Sequence, residues 1–364
     1  MDSLKQLQPT LSAWLTDFFN SPENLDLESS ALFDVRITQL ERVFGGASRE
    51  SWRLHIELAN QHRRIDKRLF MLRAQPSALI QTDLAVEATA MQAFADTEVP
   101  VPEVLTVEMA GSTGAKLLGG AFMLVEELSG EAKSPFDIEP YSPFERQLGK
   151  EFWHILGCIA ADRGAAEQFA RNFSAPDADA CWRLELDKWQ QVIREDSLGP
   201  EPILEAGLRW LRAHPPPPPR ALSVVHGDYR SGNFLHEEAS VTAVLDWEMA
   251  HLGDPIEDVA WAATPLWSQH APLRPAALIP LEEGLQIWCQ ASGIALDVHS
   301  PALKWWSVFA AVKGMAIWIS AGHEFDSASN QQPVNLFSSW ICSDLHLQTL
   351  ASLLAPDSLH LPPV

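Results

Sequence analysis

Hydrophobic residues recur at two different spacings along the chain, and the change comes near residue 140. Before it, apolar residues form short extended or alternating runs typical of strands, which we predict at 34–44, 52–58, 69–73 and 122–128. The run 84–96 has helical spacing. After residue 140, apolar residues follow three- and four-residue steps, which predict a mainly helical remainder that includes helices at 144–161 and 181–194.

This change of pattern predicts an α+β chain built from a small β-rich part and a larger helical part. Residues 1–30 are expected to form an N-terminal amphipathic helix, residues 31–128 the β-rich part and residues 129–364 the helical part. The joint is expected near Glu126–Gly130, where a strand candidate ends in Ser-Gly. Five consecutive prolines, 215–219, predict a stiff extended spacer before the next strand.

One long apolar run, 305–322, carries Lys313 in its middle. A lysine at the centre of a single membrane span is costly, so we predict a buried helix of the core instead. The N-terminal segment, residues 1–19, has an acid at position 2 and one lysine. This layout differs from the basic-then-apolar order of a signal peptide, so we expect no export signal there.

Charge narrows the range of partners. The chain of 364 residues has 48 acidic and 26 basic residues, a net charge of −22. This balance disfavours nonspecific binding to nucleic acid and adhesion to anionic membranes. Residues 221–364 hold four basic and 15 acidic residues, and such a surface attracts cations.

The cysteines bear on the compartment. The four are Cys158, Cys181, Cys289 and Cys342, and no two have CxxC spacing. This pattern predicts neither a disulfide scaffold nor a zinc site. It favours reduced thiols and a cytoplasmic protein.

The most informative stretch is 223–261, where two apolar runs each end in polar residues. Asp228 and Asn233 follow the run 222–225, and Asp246 and Glu248 follow the run 241–245. If the two runs are neighbouring strands, these side chains meet at one edge of a sheet. Oxygen ligands without histidine or cysteine suit a hard cation such as Mg²⁺, which takes one or two carboxylates and completes its shell with water or phosphate.

One carboxylate of this set remains for proton chemistry, since Mg²⁺ needs only some of them. A carboxylate beside a phosphate-bound metal can accept the proton of an attacking hydroxyl. This division of labour is the one that phosphoryl transfer requires. The absence of G-x-G-x-x-G and G-x₄-G-K-[ST] from the sequence argues against dinucleotide-binding and P-loop folds.

The pattern H-G-D-x₄-N followed by D-W-E resembles the aminoglycoside phosphotransferase and choline kinase family. That resemblance implies a two-lobed, protein-kinase-like fold, use of ATP and Mg²⁺, and a small-molecule hydroxyl as acceptor. Further likenesses extend over residues 35–262. They are the phosphate-covering loop Gly45, Gly46, Ala47 and Ser48, the third strand with Arg73, the hinge 122–130, and Gly253-Asp254-Pro255 with Asp258.

Roles carried over by position follow from this resemblance. Asp228 would be the catalytic base, Asn233 and Asp246 would bind Mg²⁺, and Glu248 would assist them. His226 would support the loop, and Asp254 and Asp258 would bond loop backbone. The backbone of Glu126 and Leu128 would meet the adenine.

The sequence departs from the usual kinase pattern on the third strand. Kinases place a lysine there, paired with a glutamate on the next helix, whereas this chain has Arg73, with Glu87 as the expected partner. Arginine keeps the charge but is longer and forked, so phosphate geometry could differ. The Leu-Arg pair resembles a branch that includes the kinase-like segment fused to some acyl-CoA dehydrogenases.

Three functions remain open on the sequence alone. The first is an ATP- and Mg²⁺-dependent phosphotransferase that resembles aminoglycoside phosphotransferases and has an undetermined acceptor. The branch resemblance points to a second, a kinase of hydroxyacyl-CoA or a similar metabolite. The third is a catalytically inactive module that keeps the fold and binds nucleotide, for which Arg73 is the only support.

Overall fold

A computed structural model describes residues 2–24, 32–43, 49–74 and 84–355. Its contacts divide the chain into two compact units. The first unit comprises residues 1–92 and 102–128, and the second comprises residues 93–101 and 129–364. The second unit therefore includes a short segment, 93–101, that lies within the β-rich part of the sequence.

The first unit is a five-stranded antiparallel sheet with three helices. Its elements in chain order are α1 (Asp2–Phe19), β1 (Asp34–Val43), β2 (Arg49–Ala59), β3 (Arg64–Ala74), α2 (Leu84–Phe94), β4 (Val104–Glu108), α3 (Thr113–Leu118) and β5 (Phe122–Glu126). The strand order is β1-β2-β3-β5-β4. The four predicted strands and the predicted helix are confirmed, whereas β4 and α3 were not predicted.

Alternation along β2 explains why one face of this sheet is a core. Trp52, Leu54, Ile56 and Leu58 are buried on that face. Apolar side chains of α1, including Leu11 and Leu15, join the same cluster. A strand of period 2 buries one face only, and here the helix covers the buried face.

The second unit is mainly helical. Its elements are α4 (Glu145–Ala161), α5 (Arg163–Phe169), α6 (Cys181–Asp196), α7 (Pro202–Ala213), β6 (Ser223–Val225), β7 (Phe234–Glu237), β8 (Ser240–Val244), β9 (His251–Gly253), α8 (Ile256–Ala262), α9 (Leu281–Ser292), α10 (Pro301–Asp326), α11 (Pro333–Phe337) and α12 (Ser343–Leu354). The predicted helices of this part are confirmed as α4 and α6. The fold class, α+β with a β-rich and a helical part, is confirmed as well.

The two apolar runs of the 223–261 stretch form strands, but they are not neighbours. β6 pairs with β9, and β8 pairs with β7, in two separate antiparallel ribbons. The prediction that β6 and β8 share one sheet edge was therefore wrong. β7 and β8 follow each other as a hairpin, whereas the partner of β6 is β9, which comes after both of them in the chain.

The run around Lys313 forms α10, a helix of 26 residues. Most of its residues from Ala302 to Ala321 are buried, as predicted for a core helix. Among the helices of the described residues, none combines the length and apolar character needed to cross a bilayer.

Candidate active site

Asp228 lies just after β6, and three donors hold its carboxylate. Trp261 Nε1 and Arg230 Nε donate to Oδ1 over 2.7 and 2.8 Å. Asn233 Nδ2 donates to Oδ2 over 2.6 Å and to the main-chain oxygen of Asp228 over 2.9 Å. The carboxylate is thus fixed in one orientation by one cation and two neutral N–H groups.

A tight turn delivers Asp228 to this position. Gly227 has φ +83°, and a Cβ there would lie 2.6 Å from the carbonyl oxygen of Met249, so only glycine fits. The buried carboxylate of Asp258 accepts the N–H groups of His226 and Gly227 over 2.7 and 2.8 Å. Burial, followed by the charge of Glu257, raises the pKa of Asp258 to about 6 despite these two donors.

His226 joins the loop of Asp228 to the end of β8. Its Nδ1 lies 3.1 Å from the N–H of Asp228, and its Nε2 lies 3.0 Å from the carbonyl oxygen of Leu245. Full burial lowers the pKa of His226 to about 4, so the ring is neutral near pH 7. The neutral ring accepts at Nδ1 and donates at Nε2, which satisfies both contacts with one tautomer.

Asn233 and Asp246 are brought together by backbone pairing. The N–H of Leu245 donates to the carbonyl of Asn233 over 2.8 Å, and β7 pairs with β8 immediately beyond. Asp246 follows Leu245 with φ +65°, and Glu248 lies in the short helical turn Trp247–Met249. The two strand ends therefore meet through Leu245, which bonds both His226 and Asn233, and not through a shared sheet edge.

A buried ion pair supports the loop from the helical side. Lys313 Nζ on α10 donates to the carbonyl oxygen of Gly227 over 2.6 Å and to Glu257 over 3.0 Å. The side chains of Lys313 and Glu257 are each 1% exposed. Lys313 Nζ also lies 4.8 Å from the ring centre of Trp261, a cation–π contact.

Glu257 lies between two cations. Its other oxygen is 3.2 Å from His251 Nε2. Burial favours the neutral carboxyl, but Lys313 and His251 outweigh it and lower the pKa of Glu257 to about 2. Burial likewise opposes the charge on His251, yet Glu185 and Glu257 raise its pKa to about 9, so this ring is protonated at neutral pH.

Asp254 organises the start of α8. Its carboxylate accepts Trp306 Nε1 and the N–H of Ile256, each over 3.0 Å. Burial raises the pKa of Asp254 to about 6. Both supporting aspartates predicted from the sequence therefore accept backbone N–H groups. Asp258 accepts those of the loop before Asp228, and Asp254 accepts the first N–H of α8.

The residues expected to bind nucleotide belong to the first unit. Arg73 on β3 pairs with Glu50 and donates from Nη1 to the carbonyl of Leu118 over 2.6 Å. Glu87 on α2 instead pairs with Arg49, and both side chains are buried. The expected Arg73–Glu87 pair was therefore wrong, because β2 supplies a competing arginine for Glu87 and a competing glutamate for Arg73.

The hinge residues end β5. The N–H of Glu126 donates to the carbonyl of Glu103 over 2.9 Å, so this N–H is not the group that would meet a nucleotide base. Leu128 follows two residues later and is half-buried. The expected phosphate-covering loop, Gly45–Ser48, lies outside the described residues.

Sequence reasoning missed three residues of the Asp228 environment. Arg230 was read only as one of few basic residues, and Trp261 was not considered. Lys313 was recognised as unusual in an apolar run but was given no partner. A lysine that must be buried requires a buried acid nearby, so Lys313 was itself a signal for a supporting carboxylate such as Glu257.

Comparison with known sequences gives a family. The profile of the phosphotransferase enzyme family matches residues 46–289. Acyl-CoA dehydrogenase family member 10 of Mus musculus is 29% identical over 208 residues, which cover 55% of this chain and 18% of the mouse protein. The chain thus matches about a fifth of the length of that relative.

Solved structures share the fold. A protein of Ralstonia eutropha assigned to the aminoglycoside phosphotransferases has a TM-score of 0.66 at 18% identity, covering 95% of this chain and 97% of its own. A choline/ethanolamine kinase family protein of Mesorhizobium loti has a TM-score of 0.56 at 14% identity, covering 96% of each chain. A thermostable variant of aminoglycoside phosphotransferase APH(4)-Ia, in ternary complex with AMP-PNP and hygromycin B, has a TM-score of 0.51 at 14% identity, covering 93% and 97%.

The family match includes the turn of Asp228, the backbone bond between Asn233 and Leu245, and the supporting aspartates. It spans well over half of the chain. The structural likeness, at identities below 25%, extends the same fold over nearly the whole chain. The chain belongs to the phosphotransferase enzyme family and has its kinase-like fold.

Proposed function

We propose that this protein transfers the γ-phosphate of ATP to a hydroxyl group of a small molecule, with Mg²⁺. The observation that supports this most is the carboxylate of Asp228, held by Trp261, Arg230 and Asn233, with Asn233 bonded through its backbone to Leu245, the residue before Asp246. Phosphoryl transfer needs little covalent chemistry from the protein, so positioned groups of this kind are its main requirement.

In this proposal Asp228 orients the attacking hydroxyl and accepts its proton. Trp261 and Arg230 bond Oδ1, and Asn233 bonds Oδ2, so the carboxylate cannot rotate while a substrate is placed against it. Arg230 also places a cation beside the base, where negative charge from a phosphoryl group would develop. Its guanidinium lies 4.6 Å from the ring centre of Trp267, which fixes the side chain against an aromatic face.

The residues present fit Mg²⁺. Both hydrogen bonds from Asn233 to Asp228 are donated by Nδ2, so they do not involve the amide oxygen Oδ1, which is the atom that would bind the metal. Asp246 adds a carboxylate, and Glu248 a second one two residues later. When bound, Mg²⁺ would neutralise the phosphates of ATP. Amide and carboxylate oxygens are the ligands that this ion prefers.

The first unit would bind the nucleotide. The backbone of Glu126 and Leu128 would contact the adenine, and the other expected binding residues are Arg73, Glu87 and the loop Gly45–Ser48. In the structure, Arg73 forms an ion pair with Glu50. A phosphate would therefore compete with a carboxylate for this guanidinium. The related phosphotransferase APH(4)-Ia was solved with AMP-PNP and hygromycin B, which supports a nucleotide and a small-molecule acceptor as the ligand classes to test.

Two candidate functions differ only in the acceptor molecule. The acidic excess of residues 221–364 suits a cationic acceptor such as an aminoglycoside. The similarity to an acyl-CoA dehydrogenase family member favours a hydroxyacyl-CoA or a related metabolite as the second candidate. A hydroxyl is common to both, so the role of Asp228 is the same in each.

The test measures ADP release from Mg·ATP across aminoglycosides, choline-type amines, sugars and hydroxyacyl-CoA esters. Asp228→Asn should lower turnover by about 10²- to 10⁴-fold while nucleotide binding persists. The matched control is Asp326→Asn, which changes an exposed carboxylate at the end of α10 and should leave turnover unchanged. Wild-type turnover in Asp228→Asn would contradict the proposal.

An inactive nucleotide-binding module is the remaining alternative. No turnover with any acceptor, together with nucleotide binding that is weak or independent of Mg²⁺, would favour it. The unusual Arg73 and its pairing with Glu50 are the observations on its side. Turnover with any acceptor that depends on Asp228 would exclude it.

A further inference from the structure

A second cluster of polar side chains lies in the helical unit, on α4 and the segment 93–101. His154 and Cys158 are four residues apart on α4 and therefore lie on one face of the helix. Glu98 approaches them from the preceding segment. The ligand atoms form a nearly equilateral triangle, with Sγ–Nε2 3.5 Å, Sγ–Oε2 3.6 Å and Nε2–Oε2 3.7 Å.

We propose that Glu98, His154 and Cys158 bind a zinc-class divalent cation, with water as the fourth ligand. Zinc bonds of about 2.0 Å to nitrogen and oxygen and about 2.3 Å to sulfur, in a tetrahedron, place ligand atoms about 3.3–3.5 Å apart. The triangle described above is within a few tenths of an ångström of one face of that tetrahedron. The ligand triad therefore needs little movement to receive the ion.

The three ligand types also match the ion. Thiolate, imidazole and carboxylate together suit zinc better than Mg²⁺ or Ca²⁺, which prefer oxygen alone. The side chains of Glu98 and His154 are 80% and 54% exposed, so solvent has access for a fourth ligand and for entry of the ion. Three protein ligands with one open position are typical of zinc sites that keep a water.

The segment that carries Glu98 is held in place independently of the ligands. The hydroxyl of Thr97 donates to the carbonyl of Phe94 over 2.8 Å, and the N–H of Val99 donates to that hydroxyl over 3.1 Å. Val99 is buried, and the carbonyl of Pro100 accepts the N–H of Val244 over 2.8 Å. Glu98 is therefore presented from a bonded turn, and the backbone cost of ordering the site is already met by the fold.

A reactive thiol is the competing interpretation of this cluster. Burial and the charge of Glu98 raise the pKa of Cys158 to about 11, whereas nucleophilic and redox-active cysteines have a lowered pKa. Cysteine spacing alone could not indicate this site, because two ligands come from one helix and the third from a segment about 60 residues earlier.

A second group, Glu185, His251 and Glu257, also has suitable atoms close together. There the ammonium of Lys313 already lies 3.0 Å from Glu257, so a cation occupies that position as part of the fold. The two groups are distinguishable because only the first contains sulfur.

The experiment titrates the full chain, stripped of metal, with Zn²⁺ by calorimetry and with Co²⁺ by absorbance. We expect one zinc equivalent and, with cobalt, a thiolate charge-transfer band together with tetrahedral visible bands. Cys158→Ser should abolish the charge-transfer band and weaken zinc binding at least about tenfold, and His154→Ala should weaken it similarly. Cys289→Ser, at a half-buried cysteine on α9, is the matched control and should change neither.

Three results would overturn the proposal. They are no zinc binding by the wild-type chain, zinc binding that persists unchanged in both Cys158→Ser and His154→Ala, or loss of the charge-transfer band in Cys289→Ser. Circular dichroism of each variant checks the fold. If Cys158→Ser unfolds, the exposed Glu98→Gln and His154→Ala variants carry the test. Glu98, His154 and Cys158 all lie outside the Asp228 environment, so the result does not depend on the proposed kinase activity.

Discussion

Replacing Lys313 with methionine tests whether the buried ion pair holds the candidate active site together. The substitution keeps an unbranched side chain of similar length but removes the ammonium that bonds both Glu257 and the carbonyl of Gly227. It leaves Glu257 at 1% exposure with His251 as the remaining cation. We therefore expect a large loss of folding free energy and a disturbed backbone immediately before Asp228.

The expected magnitude follows from the cost of breaking a buried ion pair. Removing one partner of a buried ion pair costs about 3–5 kcal/mol, and His251 should keep the cost near the lower end. Burial favours the neutral carboxyl of Glu257, but Lys313 and His251 lower its pKa in the fold, so the ammonium of Lys313 stabilises the ionised carboxylate. We expect Lys313→Met to lower the free energy of unfolding by about 3 kcal/mol at pH 7.

The pH dependence gives a second signature. A carboxylate whose pKa is lowered in the fold contributes stability that is present above its unfolded value and lost as the pH falls through its folded value. The difference between wild type and Lys313→Met should therefore be largest above pH 4.5 and should shrink as the pH falls toward 2.

Urea denaturation followed by tryptophan fluorescence measures the effect, with Lys304→Met as the control. Lys304 is on the same helix, but it is exposed, so its replacement should cost less than about 0.5 kcal/mol. The double variant Lys313→Met with Glu257→Gln should lose less than the sum of the two single variants, because the second change removes the uncompensated charge. Equal losses for Lys313→Met and Lys304→Met, or strict additivity of the pair, would refute the reasoning.

Two further predictions concern the loop and its support. Gly227→Ala should lower the free energy of unfolding by clearly more than the roughly 1–2 kcal/mol of a left-handed alanine, because its Cβ would lie 2.6 Å from the Met249 oxygen. Gly293 has φ +70° and nothing within 4 Å of the position that a Cβ would take, so Gly293→Ala should cost only about 1–2 kcal/mol. Urea denaturation measures both variants. The raised pKa of Asp254 means that its contribution to stability is full below pH 3.8 and lost as the pH rises through about 6. Asp254→Asn should therefore gain stability relative to wild type between pH 4 and pH 7, and a constant difference across that range would contradict this assignment.

The sequence could indicate the residues of the proposed site because the motifs are local. His226, Asp228 and Asn233 lie within eight residues, and the hairpin of β7 and β8 sets Asn233 opposite Leu245, the residue before Asp246. The sequence also predicted most strands of the first unit. The alternation of apolar and polar residues, clearest in β2, directly indicates a strand with one buried face.

The sequence could not indicate which side chains hold those residues. Trp261 is 33 residues beyond Asp228, and Lys313 is 86 residues beyond Gly227. Hydrophobic periodicity reports that a position is buried but not which position faces it. The exchange of partners among Arg49, Arg73, Glu50 and Glu87 has the same origin, since four charged residues allow several pairings and only the register of β2 and β3 selects one.

The contact between Lys313 and Gly227 has a consequence for where this protein can be cut. The family match ends at residue 289, which would be the natural boundary for a shortened expression fragment. Such a fragment would lack α10 and would leave Glu257 without its lysine, although every motif residue would still be present. The smallest piece able to support the site must therefore extend beyond the matched region and include the 26-residue helix that carries Lys313.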